Sequence, residues 1–312
     1  MSLDGLIVPR FAGIATFMRC PLVTDPAEAD IAILGIPWDG GTTNRPGARH
    51  GPRAVREQST LIRRIHPVTK AKPFEAHRVR DLGDAAVNPV DLPATLDLIT
   101  RQIDRILGAG ATPLCVGGDH LVTLPILRAV ARDRPVGMVH VDAHSDTWDS
   151  YFGGSRYTHG TPFRRAIEEG ILDPHRTVQI AIRGSLYGAD DMDWALAQGI
   201  RVIAIEEVRQ LGIPGTIAEA VRVVGTGPTY LTFDIDSLDP AYAPGTGTPE
   251  IGGLTSFEGQ QLVRGLAGLD LVAADLVEVS PPLDVANITA LAGANILWEI
   301  LCVLAEARTR RG

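Results

Sequence analysis

The 312-residue chain is poor in cysteine, in basic charge and in long apolar runs, and each shortage removes a class of protein. Its three cysteines, Cys20, Cys115 and Cys302, are isolated and odd in number, with no Cys-x-x-Cys spacing. They exclude a disulfide framework and a cysteine zinc site, and they read as reduced core residues. Acidic residues outnumber basic ones 37 to 29, a formal net charge of −8. That balance argues against nucleic acid and anionic membrane as partners, because both require a basic surface. No apolar run approaches about 18 residues, so nothing is expected to span a bilayer. The first ten residues lack a basic segment followed by an apolar core, so no signal peptide is expected and the expected location is the cytoplasm. Also missing are a Gly-x-Ser-x-Gly elbow, a phosphate loop ending in Gly-Lys-Ser/Thr, a repeat of fixed period and a charged linker.

What remains is an ordinary globular composition, 45% apolar and 21% charged, with enough apolar material for a sizeable core. Short β-branched runs at 31–37, 112–117, 136–141, 177–182, 202–205, 230–233 and 271–277 predict strands, with a weaker one at 79–82. Helical patterns at 51–64, 92–107, 121–131, 161–169, 256–266 and 289–307 fall between them. Strands that alternate with longer helices imply βαβ units and a mostly parallel sheet. Several of the strands are apolar nearly throughout, as expected when helices cover both faces. The expected organisation is one α/β domain over 1–312 with about eight strands, residues 1–30 being an N-terminal extension packed on it. Ligands of such sheets bind at the carboxyl ends of the strands.

Three polar motifs fall at those ends: Gly117-Gly118-Asp119-His120, Asp142-Ala143-His144-Ser145-Asp146 and Asp234-Ile235-Asp236. Side chains of an extended chain alternate faces, so Asp142, His144 and Asp146 can converge, as can Asp234 and Asp236. With His120 the set is four carboxylates and two imidazoles, which would repel one another unless cations lay among them. Six ligands are too many for one zinc ion, and two ions with bridging carboxylates fit better. The oxygen-rich mixture favours manganese over zinc or copper. His140 shares the parity of His144 but lies deeper in its strand, and reads as a hydrogen-bonded residue behind the ligands. Asp234-x-Asp236 also begins like a calcium loop, but Leu238 and Gly245 occupy its third and twelfth ligand positions.

These motifs, with Phe233-Asp-Ile-Asp-x-Leu-Asp-Pro240, resemble the signatures of the arginase/agmatinase (ureohydrolase) family. The similarity extends to Arg45-Pro-Gly-Ala-Arg-His-Gly-Pro-Arg53, His159-Gly-Thr-Pro-Phe163, Ala243-Pro-Gly-Thr-Gly-Thr-Pro249 and Glu278-Val-Ser-Pro281. The opening Pro9-Arg-Phe-Ala-Gly-Ile-Ala-Thr-Phe-Met-Arg19 is similar to the agmatinase-like branch, which includes hydrolases of guanidino acids. The resemblance implies a three-layer α/β/α sandwich around an eight-stranded parallel sheet, and a hydrolase that releases urea from a guanidino group. It implies two Mn2+ ions per subunit, one held by His120, Asp142, Asp146 and Asp234, the other by Asp142, His144, Asp234 and Asp236. Asp146 would also steer the attacking water, His159 would pass a proton to the leaving amine, and Glu278 would hold the guanidinium. A closed homo-oligomer, trimer or hexamer, is the family's habit.

The sequence speaks less clearly about the rest of the substrate. Agmatine, which gives putrescine and urea, ends in a cation, whereas the guanidino acids end in a carboxylate. The segment 148–158 is expected to line the cleft mouth and carries both Asp149 and Arg156. Agmatinase-type hydrolysis is the expected activity because it names the branch, with hydrolysis of a guanidino acid as the alternative. Arg156, as a substrate-binding residue, tilts the reading toward an acidic tail. A non-catalytic subunit would have lost ligands or His159, and the sequence keeps them.

Overall fold

The computed structural model describes residues 5–312. Among these residues the strands are β1 (Ile31–Gly35), β2 (Val79–Asp84), β3 (Thr112–Val116), β4 (Val136–Val141), β5 (Leu172–Ile182), β6 (Arg201–Ala204), β7 (Thr229–Asp234) and β8 (Leu271–Val277). They form one eight-stranded sheet in the order β2-β1-β3-β8-β7-β4-β5-β6, and every neighbouring pair is parallel. Strands β1, β3, β4 and β7 are buried along their whole length. That follows from their mostly apolar composition and from helices that cover both faces of the sheet.

The helices are α1 (Gly51–Gln58), α2 (Pro73–Ala76), α3 (Leu92–Gly108), α4 (Thr123–Val130), α5 (Pro162–Glu168), α6 (Asp193–Gln198), α7 (Ile205–Val224), α8 (Ser256–Gly265) and α9 (Ile288–Arg311). Two separate apolar cores show the layering. One joins a face of the sheet to α1, α7, α8 and α9, and the other joins the opposite face to α3, α4 and α5. The chain is therefore the three-layer sandwich expected of it. Helix α8 opens with a capping box, in which Thr255 Oγ1 accepts from Glu258 N and Thr255 N donates to the Glu258 carboxylate. Thr255→Ala should lower unfolding stability by about 1 kcal/mol with no change in cleft chemistry, as read by urea denaturation.

Several boundaries differ from the sequence reading. The pattern at 51–64 stops being α-helical at Gln58 and closes with a 3-10 turn, Ser59–Leu61. β5 begins five residues before the expected 177 because the polar stretch 172–176 already lies along β4. α7 was not read from the sequence at all, since Gly212 (φ 64°) and Pro214 interrupt it. α9 holds an 18-residue window apolar enough to cross a membrane, contrary to the expectation of no such run, yet 78% of that window is buried. Its composition is that of a core helix, and its one buried acid, Glu299, is paired with His66 and Arg264.

Candidate metal centre and cleft

β3, β8, β7 and β4 are consecutive in the sheet, so the segments that leave their carboxyl ends meet. His120 follows β3, Glu278 follows β8, Asp234 ends β7, and Asp142 follows β4. The convergence is made by turns and not by strand alternation. Past Val141 the backbone bends, and Asp146 takes a left-handed φ of 53°. Asp236 lies in the 3-10 turn Ile235–Ser237. Gly118 allows β3 to approach the neighbouring loop, since a Cβ there would lie 1.6 Å from the Trp38 carbonyl oxygen.

Around His120 Nδ1 stand three carboxylate oxygens: Asp142 Oδ2 at 3.0 Å, Asp146 Oδ2 at 3.0 Å and Asp234 Oδ2 at 3.1 Å. The nitrogen is buried and has no hydrogen-bond partner among the described residues. His120 Nε2–H instead donates to Thr232 Oγ1 at 2.9 Å, which leaves the Nδ1 lone pair facing the oxygens. Ligands held at about 2.1 Å in neighbouring octahedral positions lie about 3.0 Å apart, so the spacing matches the coordination shell of a hard cation. A second group adjoins it. His144 Nδ1 lies 3.1 Å from Asp236 Oδ2 and 3.5 Å from Asp142 Oδ1. Asp142 thus points one oxygen into each group. The donor set fits a pair of divalent ions.

The electrostatics agree. Burial pushes the Asp234 carboxyl well above the usual range, and Asp236 and Asp142 push it further. Burial also raises Asp236. Burial opposes charge on His120, but the adjacent carboxylates of Asp142, Asp146 and Asp234 outweigh it and draw the imidazole well above its ordinary value. Crowded carboxylates of this kind call for positive charge among them, which divalent ions would supply.

His140 lies behind this group, as its depth in β4 suggested. Its Nε2 is 2.6 Å from Asp142 Oδ2, and its Nδ1 accepts from Gln179 Nε2 at 3.2 Å. The amide donor fixes the tautomer, so Nε2–H donates to Asp142 and aims that carboxylate. The sheet register extends the support sideways. Gln179, His140, Thr232, Asp275 and Cys115 occupy facing positions on β5, β4, β7, β8 and β3. Asp275 accepts from Thr123 Oγ1 at 2.6 Å and from Tyr230 OH at 2.7 Å. Gln179, Thr232 and Asp275 were not singled out from the sequence, because Gln, Thr and Asp inside a strand carry no signal until the register is known.

A cleft of about 520 Å³ opens above the cluster. His159 and Glu278 form part of its wall, with His159 Nδ1–H donating to Glu278 Oε1 at 2.8 Å. The same oxygen accepts from His120 N at 2.9 Å. Glu278 Oε2 is buried and has no hydrogen-bond partner among the described residues. Glu278 also holds a left-handed φ of 65°, a conformation costly for a side chain of this size. Burial pulls the His159 imidazole down, but the Glu278 charge, and then Asp119 and Asp146, outweigh burial and leave it at about 9. Trp148 and Tyr151 form an aromatic flank, joined edge-on by Tyr187 at 5.5 Å from Trp148.

Arg156 does not reach the cleft. Its guanidinium donates to Glu168 at 2.6 Å and its side chain is 55% exposed, so Arg156 faces outward beside α5. Asp149 likewise turns to Arg165 at 3.0 Å. The guanidinium groups that do line the cleft are Arg45 and Arg183, both bound to backbone carbonyls. Sequence reasoning also missed Thr43, which contacts His159, and the role of Asp119, whose Oδ2 accepts from Gly41 N at 2.6 Å.

Known proteins are similar to this chain in sequence and fold. Residues 29–303 match the Arginase family model. The chain is 63% identical over 308 residues to a guanidinopropionase from Pseudomonas aeruginosa, covering 99% of this chain and 97% of that one. It is 51% identical over 306 residues to a guanidinobutyrase from the same organism, covering 97% and 96%. Among solved structures, the proclavaminate amidino hydrolase from Streptomyces clavuligerus superposes with a TM-score of 0.92 at 43% identity, covering 96% of this chain and all of that one. With matches that run over nearly its whole length, the chain belongs to the arginase family, the hydrolases that cleave C–N bonds of guanidino compounds.

Proposed function

We propose that the chain hydrolyses a guanidino acid, 3-guanidinopropanoate foremost, to urea and the corresponding amino acid. Agmatine, whose hydrolysis names the branch, is the second reading. The carrying observation is Glu278 Oε2, a buried carboxylate oxygen with no partner on the wall of a cleft above the metal-type cluster. A planar guanidinium supplies the N–H donors that this oxygen lacks. The acidic tail is supported by the relatives at 63% and 51% identity, which are named for guanidino acids.

Two Mn2+ ions per subunit, held by His120, Asp142, His144, Asp146, Asp234 and Asp236, would supply Lewis acidity and ionise water near neutral pH. The chain's own groups do the rest. Glu278 fixes the guanidino plane, Asp146 orients the attacking water from beside His120, and His159 holds the proton needed by the departing amine. Asn44, Arg45 and the aromatic flank of Trp148 and Tyr151 surround the tail. A closed homo-oligomer would cover the exposed Phe11 and Ile14 of the N-terminal segment.

The test is a urea assay on protein stripped of metal and restored with manganese, offered 3-guanidinopropanoate, 4-guanidinobutanoate, agmatine, arginine and guanidine. Manganese-dependent urea from a guanidino acid, at a kcat/KM at least tenfold above agmatine, is the expected result. A preference for agmatine would overturn the acidic tail, and silence with no metal bound would overturn the site.

A further inference from the structure

His159 is cast as the source of the leaving amine's proton, yet both of its ring nitrogens are occupied. Nδ1 faces Glu278 Oε1 at 2.8 Å and, meeting a carboxylate, carries its hydrogen. Nε2 lies 2.7 Å from Thr43 Oγ1 and 3.1 Å from Thr43 N. His159 is 8% exposed, and each of its nitrogens is already engaged by a protein group. Thr43 lines the cleft beside it, with a hydroxyl that can both accept and donate. The pairing is built in from two sides. His159 N donates to Gly41 O at 2.9 Å, and Gly41 N donates to Asp119 Oδ2 at 2.6 Å, so the loop bearing Thr43 is tied to the histidine's own backbone.

We propose that Thr43 relays the proton of His159 to the leaving amine. This rests on the guanidino hydrolysis put forward above. As the C–N bond of the tetrahedral adduct breaks, its electron pair goes to the departing nitrogen. That nitrogen takes the hydrogen of Thr43 Oγ1, and Thr43 Oγ1 takes the Nε2 hydrogen of His159. The histidine ends neutral and regains a proton from solvent, which offsets the one released when the attacking water ionised. Of the two Thr43 groups at Nε2, the amide can only donate and suits the neutral ring alone. The hydroxyl can accept from the charged ring and donate onward in one motion. The alternative exit through Nδ1 would neutralise Glu278 while it must hold the guanidinium. The groups that face His159 and set its charge are Glu278, Asp119 and Asp146.

The experiment compares wild type with Thr43→Val, nearly isosteric but without a hydroxyl, and with Thr43→Ser. kcat and KM are measured across pH with 3-guanidinopropanoate, the rate is followed in H2O/D2O mixtures, and His159 is titrated by 15N NMR. Thr43→Val should lose about a hundredfold in kcat with KM within about twofold, as expected for removal of acid catalysis. Its alkaline limb should move to lower pH, because the charged ring loses its only acceptor at Nε2. A rate curved in D2O fraction should become linear. Thr43→Ser should restore all three. Wild-type kcat in Thr43→Val, or equal damage in Thr43→Ser, would overturn the relay. An unmoved His159 titration in Thr43→Val would do the same, and this readout needs no turnover. Absence of urea from wild type with every guanidino acid would instead overturn the substrate reading, with the NMR still deciding the contact. Should Thr43→Val not fold, Thr43→Ala takes its place.

Discussion

Asp142→Asn is expected to leave the protein folded while abolishing urea release, kcat falling at least about a thousandfold. Asp142 points one carboxylate oxygen into each of the two candidate metal groups. Loss of a partner behind a ligand already costs about 10- to 100-fold in affinity or activity, so loss of the shared ligand must cost more. The substitution keeps the shape but replaces an oxygen donor by an NH2 that cannot coordinate. Elemental analysis should show bound manganese well below wild type. The thermal midpoint should separate metal loss from misfolding. Metal that binds only the native state stabilises it by mass action, so wild type should melt higher with manganese than with chelator. Asp142→Asn should melt near the chelated wild type and respond little to manganese. A variant with full metal content and no activity would move Asp142 from metal holding to another role.

Glu278→Gln should lower kcat/KM roughly 30- to 5000-fold, the span of about 2–5 kcal/mol for truncating one partner of a buried charge pair. It should also shift the pH profile in a defined direction. In wild type, burial opposes charge on His159 and Glu278 overcomes it, so the imidazole rises from 6.5 to about 9. Stability from that contact is fully present below about pH 6.5 and is lost as pH rises through about 9. With a neutral amide at 278 burial prevails, and the alkaline limb of the rate profile should move toward or below neutrality. Kinetics between pH 6 and 10 reads both effects. A large loss with an unmoved limb would show that Glu278 serves the substrate alone.

The sequence carried the sheet further than the helices. Strands β4 and β8 were bounded correctly because Val136–Val141 and Leu271–Val277 are apolar runs closed by polar residues at their ends. α7 escaped because Gly212 and Pro214 break its pattern, and its fold depends on packing against β5 and α8 that no local window contains. The metal-type residues were legible by type, since Asp and His at strand ends carry chemistry in their names. The reason first given for their convergence, alternation along an extended chain, was incorrect: left-handed Asp146 and the turn holding Asp236 bring them together. Thr43 was illegible for the opposite reason. A threonine in a glycine-rich loop is ordinary until His159, distant in sequence, is found 2.7 Å away. Arg156 failed in the other direction, a suggestive charge claimed by Glu168 on the outer surface.

The place of β8 has a consequence for how the protein is made. It is the last strand in the chain but lies between β3 and β7, so without it the sheet is two fragments, β2-β1-β3 and β7-β4-β5-β6. Each fragment ends in a bare edge, and those edges are the apolar strands β3 and β7. During synthesis both edges must wait, open to pairing with other chains, until the final strand has left the ribosome. Only with β8 in place are the two halves joined, and only then can the histidine after β3 stand beside the carboxylates after β7 and β4. Truncation just before Leu271 would therefore not yield a weakened enzyme. It would yield two sticky half-sheets, and the yield of native protein would depend on how well the cell shields them.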